Sequence, residues 1–187
     1  MKKQSAKMRK KWLSQIVASA GKRKTLSVWL FALLLAASAG AQGVPRVSGA
    51  TLSGRAIVLP DAVRGKRAVF ILSFTKGASG ECRAWLNRLK SEYPSREVVP
   101  VYMLPVLEDV PKFVRGMVVR SIKKDIGAEG AEITVPVFSG ESEWQKVVNY
   151  GKGNEAYVLV LGMDGRVKLV VHGGVDAGIA AVSAALK

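Results

Sequence analysis

The chain has 187 residues but only one cysteine, Cys82, and one histidine, His172. A lone cysteine cannot close an intramolecular disulfide, and with no second thiol there is no dithiol exchange within the chain. A metal centre needs several His, Cys or acidic ligands brought together, more than this chain groups. A Ser–His–acid triad is conceivable on residue types alone, but no nucleophile-elbow motif accompanies it. Gly65-Lys66 and Gly151-Lys152-Gly153 lack the spacing of a phosphate-binding loop. Aromatics make up 7% of the residues and are not interleaved with the basic ones, which argues against nucleic acid. No cofactor is expected.

Acid is missing from the first 24 positions, which carry nine Lys or Arg. The formal charge of +15 is therefore concentrated there; the remainder has 20 basic against 14 acidic residues. The basic stretch is followed by an apolar run over residues 26–37 and then by small residues, Ala37-Ser38-Ala39-Gly40-Ala41. That order reads as an export signal with cleavage after Ala39 or Ala41. The run is well short of the roughly 20 residues that span a bilayer comfortably, which favours a cleaved signal over an uncleaved anchor. The expected organisation is a leader over 1–41, a Gly/Pro/Ser linker over 42–50 and one domain over 51–187. The domain is expected to be exported, periplasmic or anchored facing the periplasm, with membrane association possible through the N-terminal segment.

Residues 68–90 organise that domain. Residues 68–74 are apolar and short, as in a buried strand. Small residues follow, and then Cys82, Trp85, Leu86 and Leu89 fall at i, i+3, i+4 and i+7, one face of a helix with Ser79 as N-cap. Glu81 stands where the helix dipole favours an anion. Two short apolar runs around Ser53-Gly54 suggest a hairpin before this unit. A second strand is expected over 98–104, made imperfect or placed near an edge by Pro100. Val110, Phe113, Val114, Met117, Val118 and Ile122 trace an apolar stripe on a helix ending near Asp125, with Pro111 an early helical residue. Residues 132–138 alternate as a third strand and 142–150 suit a short helix. Residues 157–161 and 167–172 flank an Asp-Gly hairpin signal, and a final helix starts near Asp176. The order βαβαβαββα indicates an α/β domain with a mixed sheet.

That order, with a cysteine at the first strand–helix junction, resembles the thioredoxin-like fold: a mixed β-sheet flanked by helices, here preceded by an export signal. A closer resemblance is to the mitochondrial ATP-synthase assembly-factor family and its bacterial relatives. It is carried by VYMLPVLED (101–109), the helix over 115–124, ITVPVF (133–138) and NEAYVLVLGMDGRV (154–167). The resemblance implies an assembly or folding factor that binds a protein partner of an envelope or membrane complex. Redox-active thioredoxins carry Cys-x-x-Cys where this chain has Ser79-Gly80-Glu81-Cys82, and a cis-proline where it has Glu155-Ala156-Tyr157.

Ser79-x-x-Cys82 also resembles the Thr/Ser-x-x-Cys core of peroxiredoxins, although the proline which that family places four residues earlier is Thr75. The alternative function is therefore a single-cysteine thiol oxidoreductase or peroxidase with Cys82 as nucleophile and Ser79 beside it. Helix N-terminal placement, Lys76 and Arg83 would lower the thiol pKa; Glu81 and the apolar face would raise it. The second candidate surface is the basic side of the 112–124 helix: Lys112, Arg115, Arg120, Lys123 and Lys124. Such a face meets an acidic protein, a lipid headgroup or solvent alone.

Overall fold

A computed structural model describes residues 43–187; the expected signal over 1–41 lies outside the described residues. The first pairing is a hairpin of β1 (Val47–Ala50) and β2 (Ala56–Leu59), with Val47 opposite Leu59. Its turn is closed by Thr51, whose hydroxyl accepts the Arg55 N–H at 3.1 Å, and by Gly54 at φ +99°. Strand β1 thus occupies part of the expected linker. The reason lies outside the hairpin: the N–H groups of Leu52 and Ser53 donate to the carbonyls of Thr134 and Ala131. These bonds hold the ribbon to the body.

The central strand is β3 (Ala68–Ser73), buried at every position except the last. A 3-10 turn over Lys76–Ala78 leads into α1 (Ser79–Glu92). Ser79 is the first helical residue rather than the N-cap; Ala78 precedes it and no side chain caps the helix. The 3-10 turn explains the difference, because the Ser79 N–H already donates to the Lys76 carbonyl. Cys82, Trp85, Leu86 and Leu89 are all buried, as their spacing requires.

Strand β4 (Val101–Pro105) runs parallel to β3, from Val69 opposite Val101 to Ser73 opposite Pro105. Pro100 lies just outside this strand, where its carbonyl accepts the Val69 N–H at 2.9 Å; β4 is the outer strand of the four-stranded sheet, as expected, with only isolated bridges beyond it. The interruption comes from Pro105. Residues 133–137 run parallel to the other side of β4, joined by bonds from Met103 N–H to Ile133 O, Val135 N–H to Met103 O and Val137 N–H to Pro105 O. Pro105 has no N–H to give to this neighbour, so the ladder is reduced to isolated bridges at Thr134 and Val137. The alternation survives, with Ile133, Val135 and Val137 buried.

Helix α2 (Lys112–Ala131) follows Pro111 and is broken at Gly127, where φ is +70°. That left-handed conformation suits glycine and accounts for an expected end near Asp125. The expected apolar stripe divides. Val114, Val118 and Ile122 are half-buried, whereas Phe113 is 89% exposed and Met117 64%. Helix α3 (Glu141–Val147) is followed by β5 (Tyr157–Leu161), β6 (Val167–His172) and α4 (Val175–Leu186). The hairpin between β5 and β6 turns through Gly165 at φ +76°, with Asp164 Oδ1 accepting the Arg166 N–H. The sheet order is β4-β3-β5-β6, β5 antiparallel to both neighbours. Helix α1 packs on the sheet beside α4, and the Trp85 indole N–H donates to the Gly173 carbonyl at 2.7 Å.

Candidate functional site

The β3–α1 junction places Ser79 and Cys82 differently although they lie three residues apart. Ser79 is exposed at the start of the helix; Cys82 faces the sheet and is 2% exposed. The thiol donates to the Leu72 carbonyl at 3.6 Å. Burial pushes its pKa from an ordinary 9.0 up to about 12; a hydrogen bond with the Ser73 side chain offsets part of this, and the Glu81 charge adds to it. Among the opposing influences weighed from sequence, desolvation wins. Lys76 and Arg83 are exposed and do not hold the thiolate down.

Glu81 has a specific task. Its Oε2 accepts the backbone N–H of Ala156 at 2.8 Å, tying the first turn of α1 to the entry of β5. No cis peptide lies at 155–157. Thr75 is likewise engaged, donating its hydroxyl to the Gly153 carbonyl. His172, at the end of β6, sets Nε2 2.7 Å from the Val148 carbonyl and packs edge-on to Tyr157. Among the described residues no group of His, Cys, Asp and Glu is arranged to hold a metal ion.

A cleft opens beside Cys82. It has a volume of about 690 Å³ and lies between α1 and α2, over the carboxyl ends of β3 and β4. Its apolar surface comes from Phe74, Leu86, Met103, Val106, Val118 and Ile122. One end is closed by Glu129, which meets Lys90 at 2.6 Å and Arg96 at 3.3 Å; the Lys90 hydrogen bond and charge hold its carboxyl below its ordinary pKa. The other end carries Asp109 and Glu141. Glu108 Oε2 accepts the Glu141 N–H at 2.6 Å, and the Glu141 pKa is raised by desolvation and then by Asp109 and Glu108. An apolar trough of this size with a few polar groups at its rim has the character of a ligand or peptide site.

The five basic residues expected on one surface are separated by the fold. Arg115 turns inward: its guanidinium donates to the carbonyls of Val110 at 2.8 Å and Glu108 at 2.9 Å and stacks 5.0 Å over the Phe138 ring. It holds the loop that leads into α2. Lys112, Arg120, Lys123 and Lys124 are exposed and form no ion pair among the described residues.

The chain is similar to a thiol:disulfide interchange protein of the thioredoxin family from Chlorobium tepidum, with 17% identity, a TM-score of 0.52, and 81% of this chain and 100% of that one covered. It is similar to a thiol-disulfide oxidoreductase from Bacteroides fragilis, with 17% identity and a TM-score of 0.54 over 76% and 98% of the two chains. A third is BsSco, of the Sco family of cytochrome c oxidase assembly proteins, with 14% identity and a TM-score of 0.50 over 77% and 93%. The fold is thioredoxin-like. No family model and no curated protein matches the chain. The structural neighbours support the thioredoxin-like resemblance and do not specifically support the ATP-synthase assembly-factor one.

Within this thioredoxin-like frame, the cleft is what sequence reasoning missed. Its α2 wall was visible as an apolar stripe, but an apolar stripe ordinarily signals packing. Nothing local marked the gap between that stripe and α1, because a gap depends on how far apart two helices stand.

Proposed function

We propose that this thioredoxin-like domain acts by non-covalent binding. It holds an apolar segment of a protein partner between α1 and α2, outside the cytoplasm, during assembly or folding of an envelope or membrane complex. The observation that carries this reading is the pairing of an open apolar cleft with a buried thiol of pKa about 12 beside it. Two helix faces over a floor of strand ends make a groove in which a guest helix or extended peptide lays its apolar side chains. The basic leader with its small-residue site supports export, and the resemblance of residues 101–109 and 154–167 to assembly factors supports the role.

The alternative, a peroxide- or mixed-disulfide-reacting enzyme built on Ser79 and Cys82, requires an accessible thiolate. Cys82 offers neither access nor ionisation near neutral pH. Binding is tested by titrating the protein with a fluorescent Leu-rich peptide. The expected result is saturable binding that falls at least about tenfold in Val118→Asp/Ile122→Asp, since a carboxylate in an apolar site stays poorly solvated. These two positions are half-buried, and a circular dichroism melt checks that the variant is folded. Equal peptide binding by a folded variant, or none by the parent protein, would overturn the reading.

A further inference from the structure

Phe113, Met117, Arg120 and Lys124 succeed one another at spacings of four, three and four residues, which aligns them on one face of α2. All four are exposed, Phe113 at 89% and Met117 at 64%. Lys112 and Lys123 flank this face and are also exposed. Val118 and Ile122, which line the cleft, fall on the opposite side of the helix by the same spacing. Phe113, Arg120 and Lys124 line no part of the cleft, and Met117, which sits at its rim, leaves most of its side chain in solvent.

The geometry points to an anionic lipid surface as its partner. A phenyl ring left in water among cations gains nothing within the domain. Laid on a bilayer, Phe113 and Met117 would enter the boundary between headgroups and acyl chains while the Lys and Arg side chains meet phosphates. That combination of apolar anchors and cations on one face defines an interfacial helix. An acidic protein is the weaker match. Fixed carboxylates reward planar bidentate partners, and of the five cations on α2 the inward Arg115 and exposed Arg120 are the only guanidinium groups. A fluid headgroup layer accommodates flexible lysines and two protruding side chains without a shaped pocket.

The test places a polarity-sensitive dye at residue 113 in the full chain, through Phe113→Cys, with Lys152→Cys as a control on another exposed site. Both variants carry Cys82→Ser as well, so that the dye is confined to the introduced thiol. A dye that enters apolar surroundings at residue 113 and not at 152 distinguishes contact through this face from tethering by another part of the chain. Vesicles of phosphatidylcholine mixed with phosphatidylglycerol are expected to blue-shift the dye at 113 but not at 152, and phosphatidylcholine alone should leave both unchanged. Arg120→Gln/Lys124→Gln should raise the lipid concentration at half-transfer roughly 25-fold, about fivefold for each cation. Added salt should have the same direction of effect. No shift with anionic vesicles, or an equal shift with neutral ones, would overturn the proposal. A shift produced by polyglutamate and by neither vesicle would assign the face to an acidic protein and would also overturn it.

Discussion

Two glycines on helices should respond to the same substitution with opposite sign. Gly178 in α4 is buried, and a Cβ there would overlap Val171 Cγ1 and lie 3.1 Å from the Trp85 ring. Neither neighbour yields easily: Val171 is a β-branched strand residue, and Trp85 is fully buried with its indole bonded to Gly173. Replacing glycine by alanine inside a helix gains about 1 kcal/mol of intrinsic propensity. Overpacking a filled site costs about 1–3 kcal/mol. At Gly178 the overlap should dominate, for a net loss of about 1–2 kcal/mol and a urea midpoint lower by on the order of 0.5–1 M. At Gly116 in α2 a Cβ would meet only the Arg120 guanidinium, 4.0 Å away, so Gly116→Ala should keep up to about 1 kcal/mol of the gain. Urea melts of both variants decide the matter. Stabilisation by Gly178→Ala would refute the close packing of α4 on Trp85 and Val171, and with it the placement of the last helix.

Two further substitutions probe Glu141 at the cleft and the end of α2. Glu141 has a raised pKa from partial burial and from Asp109 and Glu108, so the folded chain favours its protonated form. The penalty is absent below the unfolded pKa and grows as pH rises through the folded one, so Glu141→Gln should stabilise the protein at about pH 7, with the gain vanishing by about pH 4. A pH-independent gain in thermal melts would show that charge is not the cause. Buried Thr134 donates its hydroxyl to the Gly130 carbonyl at 2.9 Å, at the end of α2. Thr134→Val should cost about 1 kcal/mol in a denaturant melt, since the Ile133 N–H still serves that carbonyl. No measurable loss would mean that the bond does not hold the helix end.

The strand–helix unit could be read from the sequence because its signals are local and agree: a short apolar run, small residues, then four apolar positions on one helical face. The terminal hairpin was equally readable from Asp164-Gly165 between two apolar runs. The effect of Pro105 was not legible, because it depends on which neighbour would have received the missing N–H. The edge position expected from Pro100 holds, although Pro100 itself stands one residue before the strand and removes no ladder bond. The 110–122 stripe was correct as a helix and incomplete as a packing statement. Spacing puts residues on a face, but only the distance between α1 and α2 decides whether that face is filled, left open as a cleft or turned to solvent. Cys82 was ambiguous from sequence because its opposing influences cannot be weighed without burial.

A thioredoxin-like frame that binds without thiol chemistry has to keep Cys82 unreactive. A pKa of about 12 in place of 9.0 leaves roughly a thousandfold less thiolate at about pH 8, before steric exclusion is considered. The measurement is the rate of modification of Cys82 by iodoacetamide and by hydrogen peroxide with a sulfenic-acid trap, in the folded and urea-unfolded protein, with Cys82→Ser as blank. The folded protein should react at least about a thousandfold more slowly than the unfolded one, with no peroxide turnover. Rapid modification of folded Cys82, with catalytic consumption of peroxide that the Ser variant lacks, would contradict it.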